Sequence, residues 1–592
     1  MEKNKDKLKS RFFDVKIQAA VACFLLSGFV IGWYGLLNHY TCIFYREQSQ
    51  LFLFDCDYFL SYLRMPGGLT DYAASFLIQF FYYRLSGVLV YLCLFLCFYV
   101  VTKAMFKQFS LFSQSFFVAF IPGLLFLPVS ANMLFDLSDE LSLILALCGF
   151  LALTKLTKNK YYYLLIPLSV TVLYILTGGN VLLSLALYAL SLLSRQPAKH
   201  FKYVAVSLLS LAIPVVIWYF FYIVSFKTAC FSLTPFRYSN ASLLNARCIA
   251  WFSVLFLPVA GMFLKKIKVG KIGVSIANIG LAALILVPIV KQYNPDFENI
   301  LKIGLDAEHQ QWEEVIHTAQ KLPASPQNCY YTNLALQRTG QLAEKMFYYD
   351  QIGTSGLFLD LKDYFSYYAN SELFYQLGWI NPAQHSTYES MSGYTFIKEP
   401  NIRSLKRLYD CSVIHQNTTL STKYGNILSR SLFYRDYARQ NTDYPAALKM
   451  RNQLMLNIPD VLETLLEDNS TNRALFEYLM AWYMLERNYD QAKKTFDRYF
   501  PSFSYPHIPT HYAEFLLLYK RLKNLDDRFY EQYPISRELR EQFDRMDSLI
   551  QKYIDKSTQK VLEDNFKHTY WFYVRFPLVQ VQTTPNDEKH IY

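Results

Sequence analysis

Apolar runs, each about one helix long, follow one another through the first 290 residues; beyond them, apolar positions recur at spacings of three and four. The first pattern predicts membrane-spanning helices and the second predicts amphipathic helices with one buried stripe. Nine runs meet the length and hydropathy requirement: 17–37, 85–102, 109–130, 141–156, 161–177, 181–194, 203–224, 248–264 and 272–290. The fifth and sixth are joined by Gly178-Gly179-Asn180. Run 181–194 covers only about 21 Å at 1.5 Å per residue, against a hydrocarbon core near 30 Å. That pair is therefore expected either as two crossings or as a re-entrant hairpin, and both return the chain to the same side. The sequence thus predicts an all-α protein: a membrane domain of about nine helices over 1–290, with a surface loop at 38–75, and a soluble helical domain over 291–592.

In the second half the clearest helix pair is 475–500. Leu479 and Tyr483 fall on one face, and Tyr489, Ala492 and Phe496 on the next. Further units are read at 300–322, 328–349 and 444–456, and a long amphipathic helix at 536–566 leads into the aromatic cluster 569–573. The large-against-small spacing resembles a tetratricopeptide repeat, in which paired helices bury bulky side chains against a small one. Met480 and Arg487 stand where that repeat carries glycine. The resemblance implies a stack of helix pairs that binds peptides or proteins on a concave face.

Charge changes the picture more than composition does. The formal net charge of +11 divides into +14 over residues 1–290 and −3 over 291–592. The basic excess sits beside apolar runs rather than on one soluble face, which excludes a nucleic-acid partner and points to the lipid bilayer. Eighteen Lys and Arg flank one set of helix ends, among them Lys265, Lys266, Lys268 and Lys271 before the last run; the opposite loops hold five. The positive-inside rule then places the N-terminus in the cytoplasm and 291–592 outside. No Asp or Glu occurs from Leu141 through Pro295. Ten cysteines form no CxxC pair, so neither a disulfide framework nor a zinc site is expected.

Outside the N-terminal tail, the acids of the first half all lie in the first two outer loops: Glu47, Asp55, Asp57, Asp71, Asp136, Asp139 and Glu140. Loops in water are where a carboxylate costs least, and that alone accounts for such a distribution. Asp55-Cys56-Asp57 also supplies the oxygens that a general base or a divalent cation would require at the membrane face. The arrangement is similar to the polytopic glycosyltransferases that use lipid-phosphate sugar donors. That similarity implies catalytic roles for Asp55 and Asp57, and a donor phosphate held by Lys227 and Arg237 through charge-assisted bonds. The scattered histidines form no ligand set, since Pro506 and Pro509 break any helix between His507 and His511.

Two passages, SQLFLFDCDYFLSYLRMPGGLTDYAASFLIQFFYY at 49–83 and TYWFYVRF at 569–576, resemble a family of Bacteroides-type membrane proteins characterised only as a domain of unknown function. The resemblance implies an inner membrane and a periplasmic C-terminal half, and it carries no catalytic residues. Two functions are consistent with this sequence. In the leading one the outer half binds a periplasmic protein or an envelope glycan, with neither cofactor nor metal. In the other the chain is the lipid-phosphate-dependent glycosyltransferase, with Asp55 and Asp57 at its centre.

Overall fold

The structure is a computed structural model that describes residues 15–35, 40–109, 116–130, 136–157, 159–194, 197–237, 241–264, 280, 295–360, 364–391, 401–440, 444–448, 457–552 and 557–576. It is all-α, with no strand among the described residues. It divides into two compact units. The first comprises Met1–Asn294 with the short stretches Phe396–Arg403 and Asn426–Ala438; the second comprises Pro295–Thr395, Ser404–Gly425 and Arg439–Tyr592.

The first unit contains α1 (Val15–Gly35), α2 (Tyr40–Gln48), α3 (Cys56–Tyr62), α4 (Gly68–Ile78), α5 (Arg84–Gln108), α6 (Ile121–Ser130), α7 (Leu137–Leu156), α8 (Tyr162–Thr177), α9 (Val181–Leu193), α10 (Pro197–Leu209), α11 (Ala212–Phe221), α12 (Phe226–Phe231) and α13 (Ala241–Leu264). Among the described residues, four stretches are long and apolar enough to cross a membrane: Arg84–Gln108, Leu137–Leu156, Tyr162–Leu193 and Phe201–Phe221. Val21–Trp33, Val118–Leu127 and Arg247–Met262 are apolar but shorter. The run 272–290 and the lysines before it lie outside the described residues, Gly280 excepted.

Side-chain pairs fix the direction of the central helices. Tyr91 of α5 lies in the electrostatic field of Glu140 near the start of α7, and Phe109, just past α5, stacks on Phe150 near the end of α7. These two helices are therefore parallel. Ser142 of α7 donates to the carbonyl of Thr177, and Gly149 sits against Leu173, so α8 runs antiparallel to α7. Asn180 donates to Ser142, and Ser184 of α9 donates to the carbonyl of Ala146. The apolar stretch 162–193 is thus a hairpin folded back at Gly178-Gly179-Asn180, with its tip one turn inside the start of α7.

The loop at 38–75 folds into α2, α3 and the start of α4. Phe52 is buried among Phe54, Tyr58, Tyr72 and Phe76, while Phe54, Leu60 and Met65 remain exposed. Two stretches from the C-terminal half of the chain complete this loop. The backbone amide of Ile402 donates to Gln50 and that of Phe54 to Arg430; Phe433 stacks flat on Tyr82 with ring centroids 4.9 Å apart.

The second unit is built of helix pairs around one core. Pairs are formed by Pro295–Glu308 with Trp312–Ala319, Pro326–Arg338 with Leu342–Lys345, Tyr364–Gln376 with Ile380–Met391, and Arg473–Glu486 with Tyr489–Tyr499. One residue in the left-handed conformation makes each turn: Gln310, Gly340, Gly378 and Arg487; Gln416 does so after the helix that ends at Ile414. At each turn the following amide reaches the carbonyl five residues back, as Gln311 to Asp306, Gln341 to Leu336, Trp379 to Phe374, Asn417 to Ser412 and Asn488 to Tyr483. This is the Schellman closure, which satisfies carbonyls orphaned at a helix end. Arg487 takes the αL backbone that a glycine would adopt at no steric cost.

The core joins helices far apart in sequence. The Phe347 amide donates to His511 Nε2, while Glu344 accepts from the Thr510 amide and hydroxyl and lies 2.9 Å from His507 Nε2. The expected helix at 536–566 appears as Arg537–Lys552 and Ser557–Phe566, and the aromatic cluster packs inward: the Tyr570 amide donates to Glu514 Oε2 and Trp571 Nε1 to its carbonyl. Of the expected helix at 444–456, residues 444–448 are non-helical and the remainder lies outside the described residues.

Candidate functional site

The charges of the first unit gather on the first turn of α7. Asp136 caps this helix by accepting from the Ser138 amide at 3.2 Å, and it also accepts from Arg237 Nη2 at 2.9 Å. Asp139 follows, 3.7 Å from Arg237 and 3.7 Å from Arg247 Nη1. Glu140 lies in the field of Arg46, whose Nη1 donates to the phenol of Tyr91. Arginines from three separate elements, α2, the turn Pro235–Arg237 and α13, therefore converge on three acids at the cap and first turn of one helix. A helix N-terminus favours anionic side chains, which accounts for the acids lying in this turn. It does not account for the burial: Asp139, Glu140, Arg46 and Arg247 are 7%, 4%, 4% and 1% exposed.

Magnitudes decide how to read this cluster. A charge pair near 4 Å gains about 4 kcal/mol gross at an effective dielectric of 20. Withdrawing each ion from water costs several kcal/mol, so buried pairs contribute little net stability. Ionisable groups held inside an apolar helical bundle are first of all candidates for function. Neutral polar groups lie beside them. Trp251 Nε1 donates to Asn180 Oδ1 at 2.7 Å, and Asn180 Nδ2 donates to Ser142 at 2.9 Å and to the Leu233 carbonyl at 2.7 Å.

On the neighbouring loop, Glu47 is buried and accepts from Tyr434 Oη at 2.7 Å and from Gln48 Nε2 at 2.5 Å. Asp55 caps α3 through the Asp57 amide at 3.4 Å and pairs with Arg430 at 2.6 Å. Asp57 is exposed in the first turn of α3, and Lys227 is exposed on α12. Neither Asp55 nor Asp57 pairs with Lys227 or Arg237 among the described residues. Of the four residues singled out in the sequence, only Arg237 joins the buried cluster.

Arg46, Arg247, Tyr91, Asn180 and Trp251 were not singled out. Arg247 stands one residue before an apolar run, so run-finding assigns it to a loop; the structure starts α13 at Ala241 and encloses it. Among the described residues, no three His, Cys, Asp or Glu side chains are placed to hold a metal ion together. All ten cysteines are free thiols. Burial pushes the thiols of Cys329 and Cys411 up to about 12.

Residues 15–577 match the profile described as "Family of unknown function (DUF6057)". The chain belongs to that family. No curated protein and no solved structure matches it. Membership of DUF6057 extends over both units and assigns no activity, so function rests on the geometry of this chain.

Proposed function

We propose that this DUF6057 protein is a nine-pass protein of a Gram-negative inner membrane. Its N-terminus is cytoplasmic, and 291–592 forms a periplasmic, tetratricopeptide-like domain. It transfers a saccharide from a lipid-phosphate donor at the periplasmic end of the bundle, and the C-terminal domain binds the acceptor protein or envelope polymer. The observation that carries this reading is the convergence of Arg46, Arg237 and Arg247 on the buried start of α7. Guanidinium forks match phosphate oxygens, and in a site closed to water they stabilise a departing phosphate.

In this reaction the acceptor oxygen bonds to the anomeric carbon as the bond from that carbon to the donor phosphate breaks. The lipid phosphate leaves against the arginines. The acceptor's proton passes to a carboxylate, for which Asp55 and Asp57 of the first loop are candidates alongside Asp139 and Glu140.

The test is binding of a polyprenyl phosphate to the full chain in lipid nanodiscs. Arg46→Ala and Arg247→Ala are expected to weaken binding at least tenfold, while Asp55→Asn and Asp57→Asn leave it intact. Wild-type protein that does not bind the lipid phosphate overturns the reading.

A second reading is favoured by the pair Arg473–Glu486 and Tyr489–Tyr499, where fully buried Ala492 faces a bulky core as a repeat scaffold requires. Here the protein is a binding module alone. It predicts that cross-linking in membranes captures one partner on the second unit while the arginine variants leave that capture unchanged.

A further inference from the structure

The segment after α12 departs from ordinary backbone geometry. Leu233 has φ 58, in the left-handed region, yet is only 1% exposed. A bulky L-residue rarely adopts that conformation, because its Cβ crowds the following carbonyl. What makes room for it is glycine. A Cβ at Gly67 would lie 2.4 Å from Leu233 Cδ1, one at Gly178 2.3 Å from Ser232 Oγ, and one at Gly179 2.2 Å from the Cys230 carbonyl. Hydrogen bonds hold the segment down: the Gly179 amide donates to the Ser232 carbonyl at 2.9 Å and to its Oγ at 3.3 Å, Asn180 Nδ2 donates to the Leu233 carbonyl at 2.7 Å, and Arg237 donates to Asp136 at 2.9 Å.

Behind this segment are buried polar groups: Asn180 at 1% exposure, and Ser142 at 0%; the Ser138 hydroxyl, one turn earlier on α7 than Ser142, is fully buried with no hydrogen-bond partner among the described residues. On its outer side Phe231 and Phe236 are exposed. A left-handed backbone whose Leu233 side chain packs on Gly67 and whose flanking residues Ser232 and Cys230 pack on Gly178 and Gly179, over hydrogen-bonded polar groups, has the form of a closed two-state element.

We propose that residues 231–237 are a removable plug, with Leu233 as the stopper, which withdraws to admit substrate to Ser142 and Asn180. The proposal extends the reading above because the plug also carries Arg237 to Asp136 and Asp139; its opening moves one of the three arginines.

The test locks the plug. A Cβ at position 67 would lie 3.0 Å from Leu233 Cγ, which is where a sulfur at 233 would sit. That is about the Cβ-to-sulfur distance across a disulfide. The full chain in nanodiscs carries Cys230→Ser, Ser142→Cys as reporter, and the pair Gly67→Cys with Leu233→Cys. N-ethylmaleimide labelling at 142 is read by mass spectrometry. Labelling is expected to be at least tenfold slower in the oxidised than in the reduced protein, with exposed Cys56 labelled equally in both. Should the paired cysteines prevent folding, Leu233→Gly keeps the backbone and removes the stopper; it is expected to label at 142 at least tenfold faster than Leu233. A rate at 142 that responds to neither the lock nor Leu233→Gly overturns the plug. No lipid phosphate enters this assay, so its failure leaves the phosphate-binding test standing, and the reverse holds.

Discussion

Tyr434 donates a 2.7 Å hydrogen bond to Glu47, a residue 387 positions earlier in the chain. Both side chains are buried, and Glu47 adjoins Arg46, which reaches Tyr91. A short stretch of the C-terminal half thus completes the environment of the first loop. A buried hydrogen bond to a charged group contributes about 1.5–3 kcal/mol. Tyr434→Phe is expected to lower the thermal unfolding midpoint of the detergent-solubilised protein by a corresponding amount. Adding Glu47→Gln to it should cost less than the two separate losses combined.

Arg247 and Asp139 differ from a surface pair in what their separation leaves behind. Arg247→Met strands a buried carboxylate, for which about 3–5 kcal/mol of destabilisation is expected. Arg247→Met with Asp139→Asn should recover part of that loss, although Arg237 also faces Asp139. A double-variant loss equal to the sum of the Arg247→Met and Asp139→Asn losses would show that the two do not interact. Thermal melting with and without polyprenyl phosphate separates stability from ligand binding.

Left-handed turn residues give a prediction that runs against ordinary expectation, because substitutions usually destabilise. Arg487 and Gln416 hold φ 58 and 55 without being glycine. Arg487→Gly and Gln416→Gly are each expected to raise the stability of the second unit by about 0.5–1 kcal/mol. Gly340→Ala, at φ 71, should lower it. Differential scanning fluorimetry of the three variants checks the sign.

Two carboxylates of the second unit bring opposite pH dependences. Burial alone would raise Glu344, but the bonds from Thr510 and the nearby His507 outweigh it and hold the carboxyl below its usual 4.5. Its contribution is complete above 4.5 and is lost as pH falls through the lower folded value. Burial raises Glu477 above 4.5 despite Arg473 and Tyr505. That group costs nothing below 4.5 and becomes destabilising as pH rises through the raised folded value. Glu344→Gln is expected to flatten the acid limb of the melting profile and Glu477→Gln the limb above 4.5. Unchanged profiles in both would contradict these environments.

Much of this was legible in advance. Apolar runs of helical length marked the four stretches of the first unit that are long enough to cross a membrane, and Gly178-Gly179-Asn180 marked the turn inside one of them, because an apolar surround leaves backbone groups no partner except their own helix. Spacings of three and four marked the pair 473–499. The buried cluster was not legible as a unit. Its acids were visible in the loops, but Arg46 and Arg247 read as ordinary loop cations, and Asp55 gave no sign that a cap and Arg430 would occupy it.

The sequence by itself determined the all-α class, the helix periods and the apolar stretches long enough to cross a membrane. These follow from local rules: hydrophobicity, periodicity and the cost of charge in lipid act within a window of some twenty residues. Only the tertiary structure decided which acid meets which arginine, that Leu233, with its left-handed backbone, packs on Gly67 from a distant loop, and that residues 426–438 fold with the first unit. Such relationships depend on directions and distances between segments up to several hundred residues apart, and no local pattern of side chains encodes them.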